Sequence, residues 1–104
     1  MLYGRWDYSV DSKWRVRIPK EISKHLGERV LIFEDENGCV RIENLPSEMN
    51  ERHFPYVHKL SKGKSKEEKR LLIPPYLRGS ISFMFENKVT LVGMGDHLEI
   101  WPRK

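Results

Sequence analysis

The sequence predicts a mainly β domain with short helices (α+β), assembled from two similar halves. The run Arg15-Val16-Arg17-Ile18-Pro19 returns as Arg70-Leu71-Leu72-Ile73-Pro74, and the second run begins 55 residues after the first. Each copy follows cationic residues with an apolar-rich strand and then a proline that can begin a helix. One such unit cannot cover its own apolar face, so the two halves are expected to bury theirs against each other.

Composition favours one small, folded domain. The chain has 104 residues, of which 38% are hydrophobic and 33% charged, and this balance argues against intrinsic disorder. A net charge of +4 is a mild basic bias that favours nucleic acid as a partner. The single cysteine, Cys39, excludes an internal disulfide framework, and no apolar run has the length of a signal peptide or membrane span. A cytoplasmic location is therefore expected.

The first half is predicted to contain four strands and one short helix. Val16 and Ile18 alternate with cationic residues, so this strand has one apolar and one charged face. Gly27 is a typical end for the helix, and Asn37-Gly38 is the strongest hairpin signal in the chain. The predicted strands are residues 3–10, 15–18, 29–34 and 39–43, with a turn at 11–13 and a helix at 20–26.

The second half is predicted to repeat this order. Met94-Gly95-Asp96 is expected to turn the chain between strands at 89–93 and 97–101. A brief helix is predicted at 46–53, and the polar stretch 61–69 is predicted to be a mobile loop. The predicted organisation is a first repeat at 1–45, an inter-repeat segment at 46–55 and a second repeat at 56–104, together forming one compact domain.

The first charged turn is the main candidate for a binding site. Arg15 can form a bidentate contact with guanine O6 and N7, while Lys13 can contact a phosphate as a point charge. Asp11 is expected to bond the backbone of its own turn and so to position the loop, since phosphate repels a carboxylate. The alternative is that the arginines are solvated strand charges. Further candidates for contacting DNA are Arg17, Arg5, Arg70, Lys69, Lys62 and Lys64, although a lysine-rich segment is also typical of a soluble linker.

The remaining chemistry-bearing residues predict neither a metal centre nor an enzyme. The four histidines have no ligand spacing with each other or with Cys39, and the acidic residues 34–36 fit a solvated turn. We therefore expect no cofactor, no metal and no catalytic residues. Among the tryptophans, Trp6 and Trp101 are expected to fill core or subunit contacts, whereas Trp14 lies at the charged turn.

Together the motifs resemble one known family. Gly4, the run from Asp11 to Pro19, the run from Arg70 to Arg78 and the run from Val89 to Trp101 resemble the MraZ family, whose members are bacterial transcriptional regulators with tandem SpoVT-AbrB-like domains. The resemblance implies a double-psi or swapped-hairpin β-barrel, DNA binding through the charged loops and a ring-like homo-oligomer. It also implies a nucleoid location and a target of short direct repeats near cell-division and cell-wall genes. The alternative function is an AbrB-like protein-interaction or antitoxin-type module with little DNA binding.

Three departures from the family pattern stand out. Trp14 replaces a usual glycine, which could take a positive φ at lower cost. The second loop aligns either without a gap, placing residues 66–69 before Arg70, or with residues 60–64 as the loop and 65–69 as an insertion. The inter-repeat segment is shorter than usual, so ring contacts that depend on it are expected to be lost.

Overall fold

A computed structural model describes residues 2–45, 56–63, 68–79 and 87–103. The predicted helix at 46–53, the whole inter-repeat segment and Lys64 lie outside these ranges. The strands are β1 Leu2–Ser9, β2 Arg15–Ile18, β3 Arg29–Glu34, β4 Val40–Asn44, β5 Val57–Lys59, β6 Ser61–Lys62, β7 Lys69–Leu72, β8 Lys88–Gly95 and β9 Leu98–Pro102. The helices are α1 Lys20–Ser23 and a 3-10 turn at Pro75–Leu77. No helix within these ranges is long and apolar enough to cross a membrane.

The strands form two antiparallel sheets. The larger has the order β1-β8-β9-β4-β3-β5, and the smaller has the order β2-β7-β6. The prediction of a mainly β, AbrB-like fold is confirmed. Over the described ranges the hydrogen-bonded strands do not close into one continuous barrel.

The two halves exchange strands in a nearly symmetric way. β1 pairs with β8 of the other half, and β5 pairs with β3. At the centre, Val40 faces Ile100 and Ile42 faces Leu98. Residues 40–42 of the first half correspond to residues 98–100 of the second, so Val40 faces the equivalent of Ile42, and Ile42 faces the equivalent of Val40. Arg41 faces Glu99 between these pairs and marks a local two-fold axis of the fold.

The small sheet repeats this symmetry. Val16 of β2 faces its counterpart Leu71 of β7, with Arg17 opposite Arg70 on one side of that pair. Pro19 and Pro74 then begin their helical turns with nearly identical angles, φ −59° and ψ 147° against φ −61° and ψ 148°. The repeat read from the sequence therefore has the same local geometry in both copies.

Apolar residues from both sheets and both helical turns form one core. In β2 and β7 the inner face carries Val16, Ile18 and Leu71, all fully buried, while the arginines lie on the outer face. Burying a Val, Leu or Ile side chain contributes about 1.5–3 kcal/mol. The other fully buried members are Ile22, Val30, Ile32, Val40, Ile42, Ile73, Val89, Leu91, Leu98 and Ile100.

Most element predictions hold, with corrections at the edges. The strands at 15–18 and 29–34 have the predicted bounds. The helix is shorter than predicted, because α1 ends at Ser23 and the chain continues to Leu26 in tight turns. The prediction of a mobile loop over 61–69 is wrong at both ends: Ser61–Lys62 is β6, and Lys69 begins β7. β6 and β7 pair with each other, and the Gly63 N–H donates to the Glu68 carbonyl oxygen at 2.8 Å. Together these bonds close a hairpin.

Candidate nucleic-acid interface

Asp11 organises the tip of the first hairpin. Its Oδ1 accepts the backbone N–H groups of Lys13 and Arg15, each at 2.9 Å. The backbone hydrogen bond from Arg15 is the main cause that holds the pKa of Asp11 below its ordinary value. The carboxylate thus fixes the turn that the charged side chains extend from, which is the geometry expected of a loop-positioning residue.

Arg15 is held by the same carboxylate. Its Nε donates to Asp11 Oδ2 at 2.9 Å, and the Arg15 side chain is 34% exposed. A guanidinium has five N–H donors in one plane, so a bond at Nε leaves the two terminal Nη groups as a forked end. Within the described ranges this ion pair is partly exposed rather than enclosed in the core.

Trp14 takes the conformation that glycine usually supplies at this turn. Its φ is 61°, a region that costs an L-residue about 1–2 kcal/mol. The surrounding contacts impose it: Ile73 N–H donates to the Trp14 carbonyl at 2.7 Å, and the indole packs against the core. The Arg78 guanidinium lies 5.3 Å from the ring centroid, a cation–π contact. The tryptophan therefore keeps the loop geometry that its sequence position placed in doubt.

Arg17 is bound by an acid from the second hairpin. Its Nε donates to Glu68 Oε1 at 2.6 Å, and its Nη2 donates to Oε2 at 3.2 Å. Arg17 is 57% exposed, whereas Glu68 is only 12% exposed. These hydrogen bonds raise the pKa of Arg17 above its ordinary value.

The outer face of β2 and β7 forms a groove of 370 Å³, here called the arginine groove. Its cations are Arg15, Arg17 and Arg70, and its anions are Asp11 and Glu68, with Ser9 completing the lining. A second groove of 430 Å³, the aromatic groove, shares Arg17 and Glu68 and is otherwise lined by Trp6, Tyr8, Pro19, Lys20 and Glu21. Cations exceed anions by one in the arginine groove, so the balance of its charged side chains favours a polyanion.

The second hairpin differs from the first at its acidic position. Ser61 faces Arg70 in the register, where Asp11 faces Arg15 in the first hairpin. This register matches neither sequence alignment, because the gapped alignment sets Leu60 against Asp11 and treats Lys69, which is paired within β7, as an inserted residue. The Ser61 hydroxyl donates to the Arg70 carbonyl oxygen at 3.2 Å, and within the described ranges the Arg70 guanidinium makes no ion pair. Arg70 therefore lacks the carboxylate that orients Arg15.

The other predicted cations lie outside this group. Lys69 faces Ile18 on the inner side, and its Nζ donates to the carbonyl oxygens of Ser23 and Leu26 at 3.1 and 2.9 Å. The structure thus uses Lys69 to satisfy the end of α1. Three further candidates are solvent-exposed and do not line the arginine groove: Lys13 at the hairpin tip, Lys62 on β6 and Arg5 on β1.

Two residues at this site carry no predicted role. Glu68 falls within the stretch predicted to be a loop, and the ungapped alignment places it two residues before Arg70. Arg78 is the last residue of one family motif, and in the structure it contacts Trp14 while its Nε donates to the Ile73 carbonyl oxygen at 3.1 Å. The sequence shows the charge of both residues, but it does not show that Glu68 contacts Arg17 or that Arg78 contacts Trp14.

One further cluster has ligand atoms close together. Asp35, Cys39 and Glu99 have a carboxylate oxygen or sulfur each within 4.8 Å of the others. Burial, followed by the nearby carboxylates of Glu99 and Asp35, raises the pKa of Cys39 to about 12. Because the thiolate is the form that binds metals and attacks electrophiles, this thiol is poorly suited to either task at neutral pH.

The exchanged strands and the two related hairpins define a mainly β protein with an AbrB-like fold and a cationic groove on its small sheet. No protein-family model matches the chain. Curated proteins do match it along nearly its full length. Transcriptional regulator MraZ of Caldanaerobacter subterraneus subsp. tengcongensis is 25% identical over 120 residues, covering 100% of this chain and 82% of the relative.

Two further relatives give the same result. MraZ of Acetivibrio thermocellus is 26% identical over 119 residues, covering 99% of this chain and 82% of the relative. MraZ of Mycoplasmopsis pulmonis is 27% identical over 118 residues, covering 98% and 79%. The resemblance to the MraZ family that the motifs predicted is thereby confirmed.

Proposed function

We propose that this protein is a transcriptional regulator that binds double-stranded DNA sequence-specifically through the arginine groove and the first hairpin tip. The relatives named as transcriptional regulators support this class. The observation that carries the proposal is the Asp11–Arg15 pair, in which the carboxylate binds Nε and leaves the terminal Nη groups as a fork. The protein acts as a binding protein and not as an enzyme.

Arg15 is the reader in this mechanism. Two Nη groups at the end of a guanidinium match guanine O6 and N7 in the major groove, and a good bidentate contact discriminates by about 1–3 kcal/mol. Because Asp11 already restricts Arg15 in the free protein, less side-chain entropy is lost on binding. Asp11 itself stays on the turn, where its bonds to two backbone N–H groups hold it.

The neighbouring cations supply phosphate contacts. Arg70 shares the outer face with Arg15, and Lys13 is exposed at the tip beside it. Such contacts set register and affinity without reading sequence. Lys62 and Arg5 are exposed and are assigned the same role at the margin of the interface.

A single hairpin of this kind binds weakly, so we propose a homo-oligomer, ring-like where the shortened middle of the chain permits it. Several copies of the Arg15 hairpin on spaced direct repeats gain from effective concentration. The family resemblance supports targets near cell-division and cell-wall genes, with the protein cytoplasmic and associated with the nucleoid.

The test is a selection of bound duplexes from a random pool, followed by fluorescence anisotropy on the selected and a scrambled sequence. We expect Arg15→Ala to weaken binding to the selected duplex by about 1–3 kcal/mol. Asp11→Asn keeps an acceptor for the turn but loses the ionic bond to Arg15, so the affinity ratio between the two duplexes should fall. Lys59→Gln, an exposed charge on β5 at the other edge of the large sheet from β1, is the control.

Two outcomes would overturn the proposal. One is the absence of any DNA binding at low salt, where phosphate contacts are strongest. The other is an Arg15→Ala protein that binds and discriminates as well as the Lys59→Gln control does.

A further inference from the structure

We propose that Glu68 occupies the phosphate-binding position of Arg17 in the free protein and must leave it when the arginine groove takes up a DNA phosphate. This inference rests on the proposed function. In it, Glu68 determines how tightly the protein binds DNA. The carboxylate stands in for two phosphate oxygens. Glu68 is thus a negative determinant of binding built into the second hairpin.

The geometry of the pair is that of an arginine bound to an oxyanion. Nε and Nη2 of Arg17 form one edge of the guanidinium, and both donate to the carboxylate, at 2.6 and 3.2 Å. A phosphate group engages the same two-point edge, because its oxygens have a similar spacing. As long as Glu68 holds this edge, Arg17 cannot present it to DNA.

The exposures of the two partners point the same way. Arg17 is 57% exposed, so the guanidinium is within reach of a ligand, whereas the Glu68 side chain is only 12% exposed. Both residues line the arginine groove and the aromatic groove. A phosphate that enters either groove therefore meets the same carboxylate, whose charge opposes it.

The location of Glu68 gives its release a structural consequence. Its carbonyl oxygen accepts the N–H of Gly63 and closes the β6–β7 hairpin, and Arg70 follows two residues later. Arg70 also faces Arg17 directly across β2 and β7, where two like charges repel each other. Once Glu68 leaves, a phosphate between these arginines would be bound by both, so the second hairpin would join the interface at the same step.

The competing role for this pair is a structural tie between the two hairpins. A tie and a competitor for phosphate predict opposite effects on DNA binding. If Glu68 only tied the hairpins, then weakening the pair would loosen the groove and lower the affinity. If Glu68 competes with phosphate, weakening the pair would raise it.

The experiment compares Glu68→Gln and Glu68→Asp with the unaltered protein, using anisotropy on the selected duplex over a range of salt concentrations. Gln removes the charge, while Asp keeps it and shortens the side chain by one methylene, so a gain with Asp cannot come from net charge. Glu21→Gln is the matched control, because Glu21 lines the adjoining aromatic groove and the change in charge is the same.

We expect both Glu68 variants to bind about three- to tenfold more tightly at 0.1 M salt and the slope of log K against log salt to steepen by about 0.9, the value for one more phosphate contact. In an Arg17→Gln background the Glu68 substitutions should then have no effect beyond that of Glu21→Gln. Unchanged or weaker binding by both Glu68 variants, with thermal unfolding showing them folded, would overturn the inference. A variant that fails to fold would also overturn it, since the pair would then be structural.

These outcomes are distinguishable from failure of the proposed function. If the unaltered protein binds no DNA at low salt, the proposed function fails first. If it binds and discriminates, and the Glu68 variants behave like Glu21→Gln, only the present inference fails.

Discussion

At the scale of single residues, carboxylates decide what each arginine of the small sheet can do. Asp11 binds Arg15 through Nε alone and leaves a fork, while Glu68 binds Arg17 through Nε and Nη2 and takes one whole edge. Arg70 has a serine at the corresponding position. Arg15, Arg17 and Arg70 therefore differ in how many guanidinium N–H groups they can offer to an anion. The difference arises from the acidic side chain, or its absence, beside each arginine.

His97 provides a residue-scale prediction about pH. Its Nδ1 bonds Asp96 Oδ1 at 2.6 Å, and its Nε2 bonds Glu99 Oε2 at 2.8 Å. Desolvation lowers the pKa of His97, but the hydrogen bonds to Glu99 and Asp96 outweigh it, so the pKa is raised overall, with Arg41 opposing. A raised pKa in the folded state means that protonated His97 stabilises the fold fully below the unfolded value, about 6.5.

That contribution is lost as the pH rises through the folded-state pKa of His97. We therefore expect the free energy of unfolding to fall as the pH rises above the unfolded value of about 6.5 and through the raised pKa of His97, and His97→Gln to flatten this fall. Urea unfolding at a series of pH values measures it, with His25→Gln as the control on an exposed histidine. Burial lowers the pKa of His58, so His58 changes the stability with pH in the opposite direction. It is present in all the proteins compared, so its effect cancels. Identical pH dependence in His97→Gln and the unaltered protein would contradict the assignment.

At the scale of elements, the β1–β8 pair depends on two facing glycines. Gly4 faces Gly93, and a Cβ on Gly93 would lie 2.3 Å from the Leu2 carbonyl oxygen. Gly4 has φ 139°, and the Trp6 ring occupies the space that its Cβ would take, at 2.2 Å. These strands therefore approach each other at a distance that no side chain allows.

We accordingly expect Gly93→Ala to destabilise the protein by about 1–3 kcal/mol or more, because backbone on β1 must move. The matched control is Gly79→Ala, where no atom lies within 4 Å of the added Cβ. Chemical denaturation followed by circular dichroism measures both. Equal stability of the two variants would show that β1 yields without cost.

Sequence could predict the elements that local pattern determines. The alternation of Val16 and Ile18 gave β2 its bounds, and the Asn37-Gly38 turn placed the β3–β4 hairpin. The Asp11 turn was also within reach, because its bonds span at most four residues. Contacts between distant parts of the chain could not be predicted in this way, because partners such as Arg17 and Glu68 are 51 residues apart.

Lys69 illustrates the same limit. Its charge suggested a binding role, but the register of β7 against β2 places it opposite Ile18, on the face that meets α1. A shift of one residue in that register would have turned it outward and Arg70 inward. Register in a long-range strand pair depends on the whole fold, so no local signal could assign the two residues.

At the scale of the whole molecule, the halves are interleaved rather than placed side by side. β1 and β2 of the first half find their partners, β8 and β7, in the second. The hairpin of β3 and β4 is the only described strand pair that lies entirely within residues 2–45. A lone two-stranded hairpin is marginally stable in water, so the first half has little to fold around.

We therefore expect residues 1–45 alone to lack cooperative structure, although the sequence predicts that they form the first repeat. Val16 and Ile18 would lose their partners on β7 and expose fully buried surface. Far-UV circular dichroism and amide NMR spectra of this fragment, of residues 46–104, and of their equimolar mixture test the expectation. The mixture should recover the spectrum of the intact chain, since the interleaved pairs can form between separate pieces. A cooperative unfolding transition in the 1–45 fragment by itself would show that each repeat is an independent unit, and the exchange of strands would then be dispensable.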